Sequence, residues 1–292
     1  MIESPWKSLG YYLLSCLAYI AVLGFICLGV APFKFHRQFY EQGELYPLIN
    51  RMYFTFLLDP SFSYYRSLSD TVSDTELFLL TILISCFSIF LMVFCLSDKQ
   101  LTNISQEKLK DVAALLISFF TSFSVAGLII TILKILVTRP RPSMFYLCNY
   151  RGFRDAVDSG NFSSYLALTS PQTIGDTSHC WDQDYVPDCI YSFPSGHSAL
   201  AFVSFFWLVE FFLHFSRRFP FMKHLQWLLW LPMILATWIA YSRIYDYKHS
   251  ELDVVTGALI GVASAHYFFG DFLAFFQEHE AKKKDDLTDA LV

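Results

Sequence analysis

The chain has 292 residues, 54% of them hydrophobic and 16% charged, with a mean hydropathy of +0.41 and a formal net charge of −5 at pH 7. That hydropathy exceeds what a soluble domain with a solvated surface carries, so much of the chain must face an apolar medium. The acidic balance and the lack of an extended basic stripe exclude nucleic acid as a partner.

Six stretches approach the roughly 20 apolar residues that cross a bilayer: about 11–32, 77–97, 112–133, 198–215, 225–242 and 254–270. The first follows Lys7 and lacks a small-residue cleavage site, which predicts a retained signal anchor. Lys99, Lys108 and Lys110 lie between spans two and three, Arg217, Arg218 and Lys223 between spans four and five, and Lys282, Lys283 and Lys284 after span six. Short loops carrying Lys and Arg stay in the cytoplasm. An even number of spans then leaves both termini on that face and sends three loops to the other side, about 33–76, 134–197 and 243–253. The expected architecture is a single all-α domain over 1–292, a polytopic membrane protein with six transmembrane helices and a cytoplasmic tail at 276–292. Arg139, Arg141 and Arg243 run against the charge rule, and a functional site on the outer face would explain them.

Cys16, Cys27, Cys86 and Cys95 sit in spans and read as small buried apolar residues. Cys148, Cys180 and Cys189 share the long outer loop, where an oxidising compartment permits one disulfide among three pairings. The same loop carries Asn161-Phe162-Ser163, a glycosylation acceptor if it faces a lumen. Asn103-Ile104-Ser105 is a second sequon, expected to stay unmodified on the cytoplasmic side. A loop of about 60 residues without its own periodicity is uncommon unless it serves a function.

Three fragments in or beside the outer loops carry the chemistry. Lys134 closes the third span and Arg141 follows seven residues later, with Pro140 and Pro142 ending the helix. Arg is suited to planar pairing with phosphate oxygens and Lys acts as a point charge. Pro194-Ser195-Gly196-His197 opens the fourth span, so the first backbone N–H groups and the dipole of that helix would point at the site and attract an anion. Gly196 would let a ligand approach the backbone. Ser242-Arg243 and the His249/Asp253 pair bracket the start of the sixth span. Four apart on a helix, His249 and Asp253 would share a face, and the carboxylate would accept a hydrogen bond from the imidazole. Ionisable groups are expensive in a membrane and usually functional there, and three distant fragments bring them to one leaflet. The set fits phosphoryl transfer, in which a protein positions phosphate and neutralises its oxygens.

Lys134 to Pro142 follow Lys-x6-Arg-Pro, Pro194 to His197 read Pro-Ser-Gly-His, and Ser242 to Asp253 follow Ser-Arg-x5-His-x3-Asp. These resemble the three signatures of the type 2 phosphatidic acid phosphatase superfamily without departure at the signature positions. The six spans look like its integral membrane branch, the lipid phosphate phosphatases, as does the segment Asp70 to Leu80. The resemblance implies a lipid phosphate phosphatase in which His249 is the nucleophile, Asp253 its orienting carboxylate and His197 the general acid. Lys134, Arg141, Ser195, Gly196 and Arg243 would hold the phosphate. It also implies no metal and no cofactor.

Among rivals, a vanadium haloperoxidase would be a soluble helical bundle, and a zinc site built from His197, His249 and Asp253 would crowd a cation among cations. A non-catalytic lipid-phosphate-binding scaffold or transporter is the alternative from outside enzymology. The implied partners are a lipid phosphate and the membrane, with the site on the luminal or extracellular face. Phosphatidic acid, lysophosphatidic acid, sphingosine 1-phosphate and diacylglycerol pyrophosphate all fit as substrates. Plasma membrane, endoplasmic reticulum and Golgi all fit as locations, and the sequence allows a homo-oligomer.

Overall fold

The computed structural model describes residues 55–57, 60–64, 70–95, 106–160, 174–216 and 228–289. The expected first span at 11–32, Cys16, Cys27, and the sequons at Asn103 and Asn161 lie outside them. Five long helices dominate: α1 (Asp74–Cys95), α2 (Gln106–Val137), α3 (Gly196–Ser216), α4 (Leu231–Tyr245) and α5 (Glu251–Asp289). Each contains a segment long and apolar enough to cross a membrane: Asp74–Met92, Val112–Val137, Gly196–Ser216, Leu228–Tyr245 and Glu251–Ala274. In an apolar medium a helix satisfies every internal peptide group within itself. The helices run past the expected hydropathy limits at the end where the motifs lie. Gly196 and His197 fall in the first turn of α3, Arg243 in the last turn of α4 and Asp253 in the first turn of α5. Most of the expected 276–292 tail is a continuation of α5.

Ser73 and Glu76 form a reciprocal capping box that starts α1. The Ser73 amide donates to Glu76 Oε2 at 2.8 Å and the Glu76 amide to Ser73 Oγ at 3.2 Å. Leu83, Phe87, Ile135, Leu136 and Leu259 point outward and exposed, as lipid-facing residues do. The interior is centred on α3, which packs against the other four long helices. Trp207 of α3 is fully buried among Phe119, Phe211 and Phe269, with ring centroids 5.3–5.6 Å away. Its indole N–H donates to Ser118 Oγ, which donates in turn to the Phe268 carbonyl, so α2, α3 and α5 are tied by one polar chain.

The α3/α5 contact is unusually close. A Cβ at Gly257 would lie 2.4 Å from the Ser195 carbonyl oxygen, and one at Gly261 would lie 2.5 Å from that of Ala199. Spaced by four, these glycines form a bare stripe on which the α3 backbone lies.

The N-termini of α1, α3 and α5 and the C-termini of α2 and α4 meet at one end of the bundle. Above them, residues 144–160 and 174–190 build a small cap with a core that includes Met144, Phe145, Tyr150, Phe153 and Val186. Cys148 and Cys180 are joined in a disulfide, which selects one of the three pairings, while Cys189 is buried beside Met144. A short antiparallel pairing of β1 (Thr55–Leu57) with β2 (Ile174–Asp176) adds a two-stranded element to the all-α architecture.

Candidate active site

All eight sequence-predicted site residues lie at the meeting point of the helix ends. Lys134 sits one turn before the end of α2, its Nζ 3.8 Å from where a Gly196 Cβ would be. Among the described residues nothing crowds that position more closely, so their packing does not demand a glycine there. Gly196 keeps the amide end of α3 open next to a cation. Ser195 is buried, and its amide donates to the Asp253 carbonyl at 2.9 Å. Its Oγ accepts from Ser198 Oγ at 3.0 Å, which leaves the Ser195 hydroxyl proton for another acceptor.

His249 departs from expectation. Its Nδ1 lies 2.7 Å from the Ser192 carbonyl oxygen, and the nearest Asp253 oxygen is 3.9 Å away, beyond hydrogen-bond reach. The reason is local. Helix α5 begins at Glu251, so His249 stands before the helix and the four-residue spacing is not helical. Asp253 turns back as part of a capping arrangement, its Oδ2 accepting from the Ser250 amide at 2.9 Å. It also accepts from Ser192 Oγ at 2.6 Å and from Arg139 Nη1 at 3.0 Å, and is wholly buried. A carbonyl only accepts, so Nδ1 of His249 carries the proton and Nε2 offers a lone pair. Burial, with Arg141, Lys134 and His197 nearby, holds the His249 imidazole well below its ordinary pKa of 6.5, so it is neutral near pH 7.

His197 is buried, and its Nε2 makes no hydrogen bond among the described residues, with Asp74 Oδ1 at 3.5 Å. Arg243 is fully buried. Its Nη2 donates to Asp246 Oδ2 and its Nε to Ser242 Oγ, each at 3.0 Å, while Nη1 has no partner among the described residues. Two buried polar atoms without partners in one place are costly unless an anion or another acceptor meets them.

Of the carboxylates that neutralise the basic set, sequence reasoning named Asp253 but not its pairing with Arg139, and it gave Asp188, Asp246 and Asp70 no place in the site. Arg141 pairs with Asp188 (Nη2 to Oδ1, 2.7 Å), Arg243 with Asp246, Arg139 with Asp253, and Lys248 with Asp70. Lys134 makes no ion pair among the described residues. The pairings themselves carry no sequence mark, because all but Arg243–Asp246 join positions far apart in the chain, up to 178 residues for Lys248 and Asp70. Ser192 was missed for a similar reason, although a polar residue just before Pro194 was the available hint. Chemically, the assembly combines a neutral imidazole with a free ring nitrogen, a second buried imidazole, one unpaired ammonium, a guanidinium edge and a helix N-terminus. That set can bind a phosphate and receive its phosphoryl group on nitrogen.

A family model described as the PAP2 superfamily matches residues 115–276, which include every motif residue. The probable diacylglycerol pyrophosphate phosphatase 1 of Schizosaccharomyces pombe is 29% identical over 169 residues, covering 57% of this chain and 56% of that protein. Diacylglycerol pyrophosphate phosphatase 1 of Saccharomyces cerevisiae is 32% identical over 108 residues, 36% and 37% of the two chains. Lipid phosphate phosphatase 2 of Arabidopsis thaliana is 29% identical over 154 residues, 52% and 48%. The aligned stretch thus spans about half or less of these relatives. No solved structure matches.

Proposed function

The chain belongs to the PAP2 superfamily, and from that premise we propose that it hydrolyses the phosphomonoester of a lipid phosphate through a phosphohistidine. The observation that carries the reading is His249, with Nδ1 committed to the Ser192 carbonyl, which leaves the Nε2 lone pair of an imidazole that has Lys134, Arg141 and His197 nearby. In this mechanism Nε2 attacks phosphorus as the bond to the lipid oxygen breaks, and His197 gives its proton to the departing alkoxide. Water, deprotonated by His197, then attacks the phosphohistidine and releases phosphate, returning both imidazoles to their starting forms. Lys134, the outer edges of Arg141 and Arg243, the Ser195 hydroxyl and the Gly196 amide hold the phosphate oxygens. Asp253 acts through Ser192, which bonds to both residues and so fixes the carbonyl that orients His249.

Substrate class and membrane face follow from chemistry and sequence together. The helix ends that form the site are opposite the ends joined by the lysine- and arginine-bearing connections, and the charge rule supports a luminal or extracellular site in the proposed six-span arrangement. A site at the end of apolar helices favours a phosphate carried on a lipid, with phosphatidic acid and its relatives, including diacylglycerol pyrophosphate, as the class. With this basic set no divalent ion is required. Purified protein in detergent is expected to release phosphate from phosphatidic acid in excess EDTA, and His249→Ala is expected to reduce release to background with the thermal unfolding midpoint retained. Activity that vanishes with chelator, or persists in the variant, refutes the mechanism.

A further inference from the structure

The segment at residues 70–74 lies before the stretch matched by the family model, yet it touches the site repeatedly. Asp70 pairs with Lys248, and Asp74 Oδ1 lies 3.5 Å from His197 Nε2. Thr71 makes the most defined contact. Its amide donates to Asp246 Oδ2 at 3.0 Å and its hydroxyl to Asp246 Oδ1 at 2.6 Å.

Asp246 is the carboxylate that holds Arg243, and only one guanidinium nitrogen reaches it, Nη2 at 3.0 Å. A carboxylate beside a guanidinium ordinarily closes a two-pronged fork, with both oxygens engaged by two nitrogens. Here Thr71 binds both oxygens and fixes the carboxylate in an orientation in which only Oδ2 meets Arg243, and Arg243 Nη1 stays buried and unbonded among the described residues. We propose that Thr71 is a positioning residue for phosphate binding: by fixing the orientation of Asp246 it stops that carboxylate from turning to capture both ends of Arg243, and so keeps Nη1 available to a phosphate oxygen. The proposal rests on the phosphate-binding part of the function above and not on turnover.

The test measures the dissociation constant for inorganic phosphate on the purified full chain by phosphorus NMR, alongside phosphate release from phosphatidic acid. Thr71→Val keeps the shape and removes the hydroxyl donor, and is expected to weaken phosphate binding about tenfold, as losing a hydrogen bond to a charged group does. Thr71→Ser is expected to restore wild-type binding. In an Arg243→Lys background, where an ammonium cannot be held in a fork, Thr71→Val is expected to change binding by less than about twofold, the two substitutions sharing one effect. Equal binding by Thr71→Val and wild type, failure of Thr71→Ser to rescue, or an undiminished effect in the Arg243→Lys background overturns the proposal, as does wild-type protein that binds no phosphate. A wild type that binds phosphate in this Thr71-dependent way but releases none from lipid refutes the hydrolase reading and leaves Thr71 in its role.

Discussion

Gly257→Ala probes whether the close approach of α5 to α3 sets the geometry of the site. The added Cβ would lie 2.4 Å from the Ser195 carbonyl oxygen and must retreat by about 1 Å to reach ordinary contact at 3.4 Å. The oxygen is main chain at the start of a buried helix, so no side chain can swing away and the helices themselves must part. The Ser195 amide to Asp253 carbonyl bond, 2.9 Å in the structure, would then stretch to about 3.9 Å and be lost. Strain from overpacking costs about 1–3 kcal/mol and the bond about 1 kcal/mol, so a loss of about 2–4 kcal/mol is expected in denaturant titration. Ser195 and Asp253 belong to different fragments of the site, and a displacement of 1 Å can lower kcat/KM about 100-fold. The control is Gly270→Ala on the same helix, where nothing lies within 4 Å of the new Cβ. It should leave kcat/KM unchanged and be neutral or slightly stabilising. Wild-type kcat/KM in Gly257→Ala would show that the helix contact does not position the chemistry.

Four further outcomes are expected. The His249 imidazole, held below 6.5, must be neutral to attack, so its protonation should not limit kcat/KM until well below pH 6.5. An acid-side break assigned to His249 at or above 6.5 contradicts this. The same depression means that below 6.5 the unfolded chain binds a proton the folded chain refuses, so this group lowers stability as pH falls through that value, measurable as a declining unfolding midpoint. Cys148→Ser opens a crosslink between positions 32 residues apart and should destabilise the cap by about 3–4 kcal/mol in the chain-entropy estimate, detectable as faster proteolysis of residues 144–190. Expressed in a secretory membrane system, the protein should carry glycan on Asn161 and none on Asn103, read by gel shift after glycosidase; the reverse pattern would put the site in the cytoplasm.

Much of the site was legible because ionisable residues in an apolar chain are conspicuous. Lys134, Arg141, His197, Arg243, His249 and Asp253 stood out against their surroundings, and helix α3 begins at Gly196 where the Pro-Ser-Gly turn predicted it. What the sequence hid was pairing. Asp188, Asp246 and Asp70 are ordinary loop acids until the fold sets them against Arg141, Arg243 and Lys248. The error at His249 has a different origin. A spacing of four was read as one helical face, but Ser250 caps α5 and draws Asp253 to its own amide, so His249 falls outside the helix and takes another partner. Span limits came out short because hydropathy falls where the functional residues begin, although the backbone there stays helical.

Ser192 holds His249 through its main-chain oxygen and Asp253 through its hydroxyl. Those two holds differ in what substitution can reach. Any amino acid at this position supplies a carbonyl, whereas only Ser and Thr supply a hydroxyl on the same carbon. Replacement by Ala would therefore loosen the carboxylate and leave the imidazole's tautomer intact, separating two functions that a motif written in side-chain letters treats as one. A position of this kind acts through its main chain as well as its side chain, so the support of the candidate site extends to backbone groups that side-chain motifs do not encode.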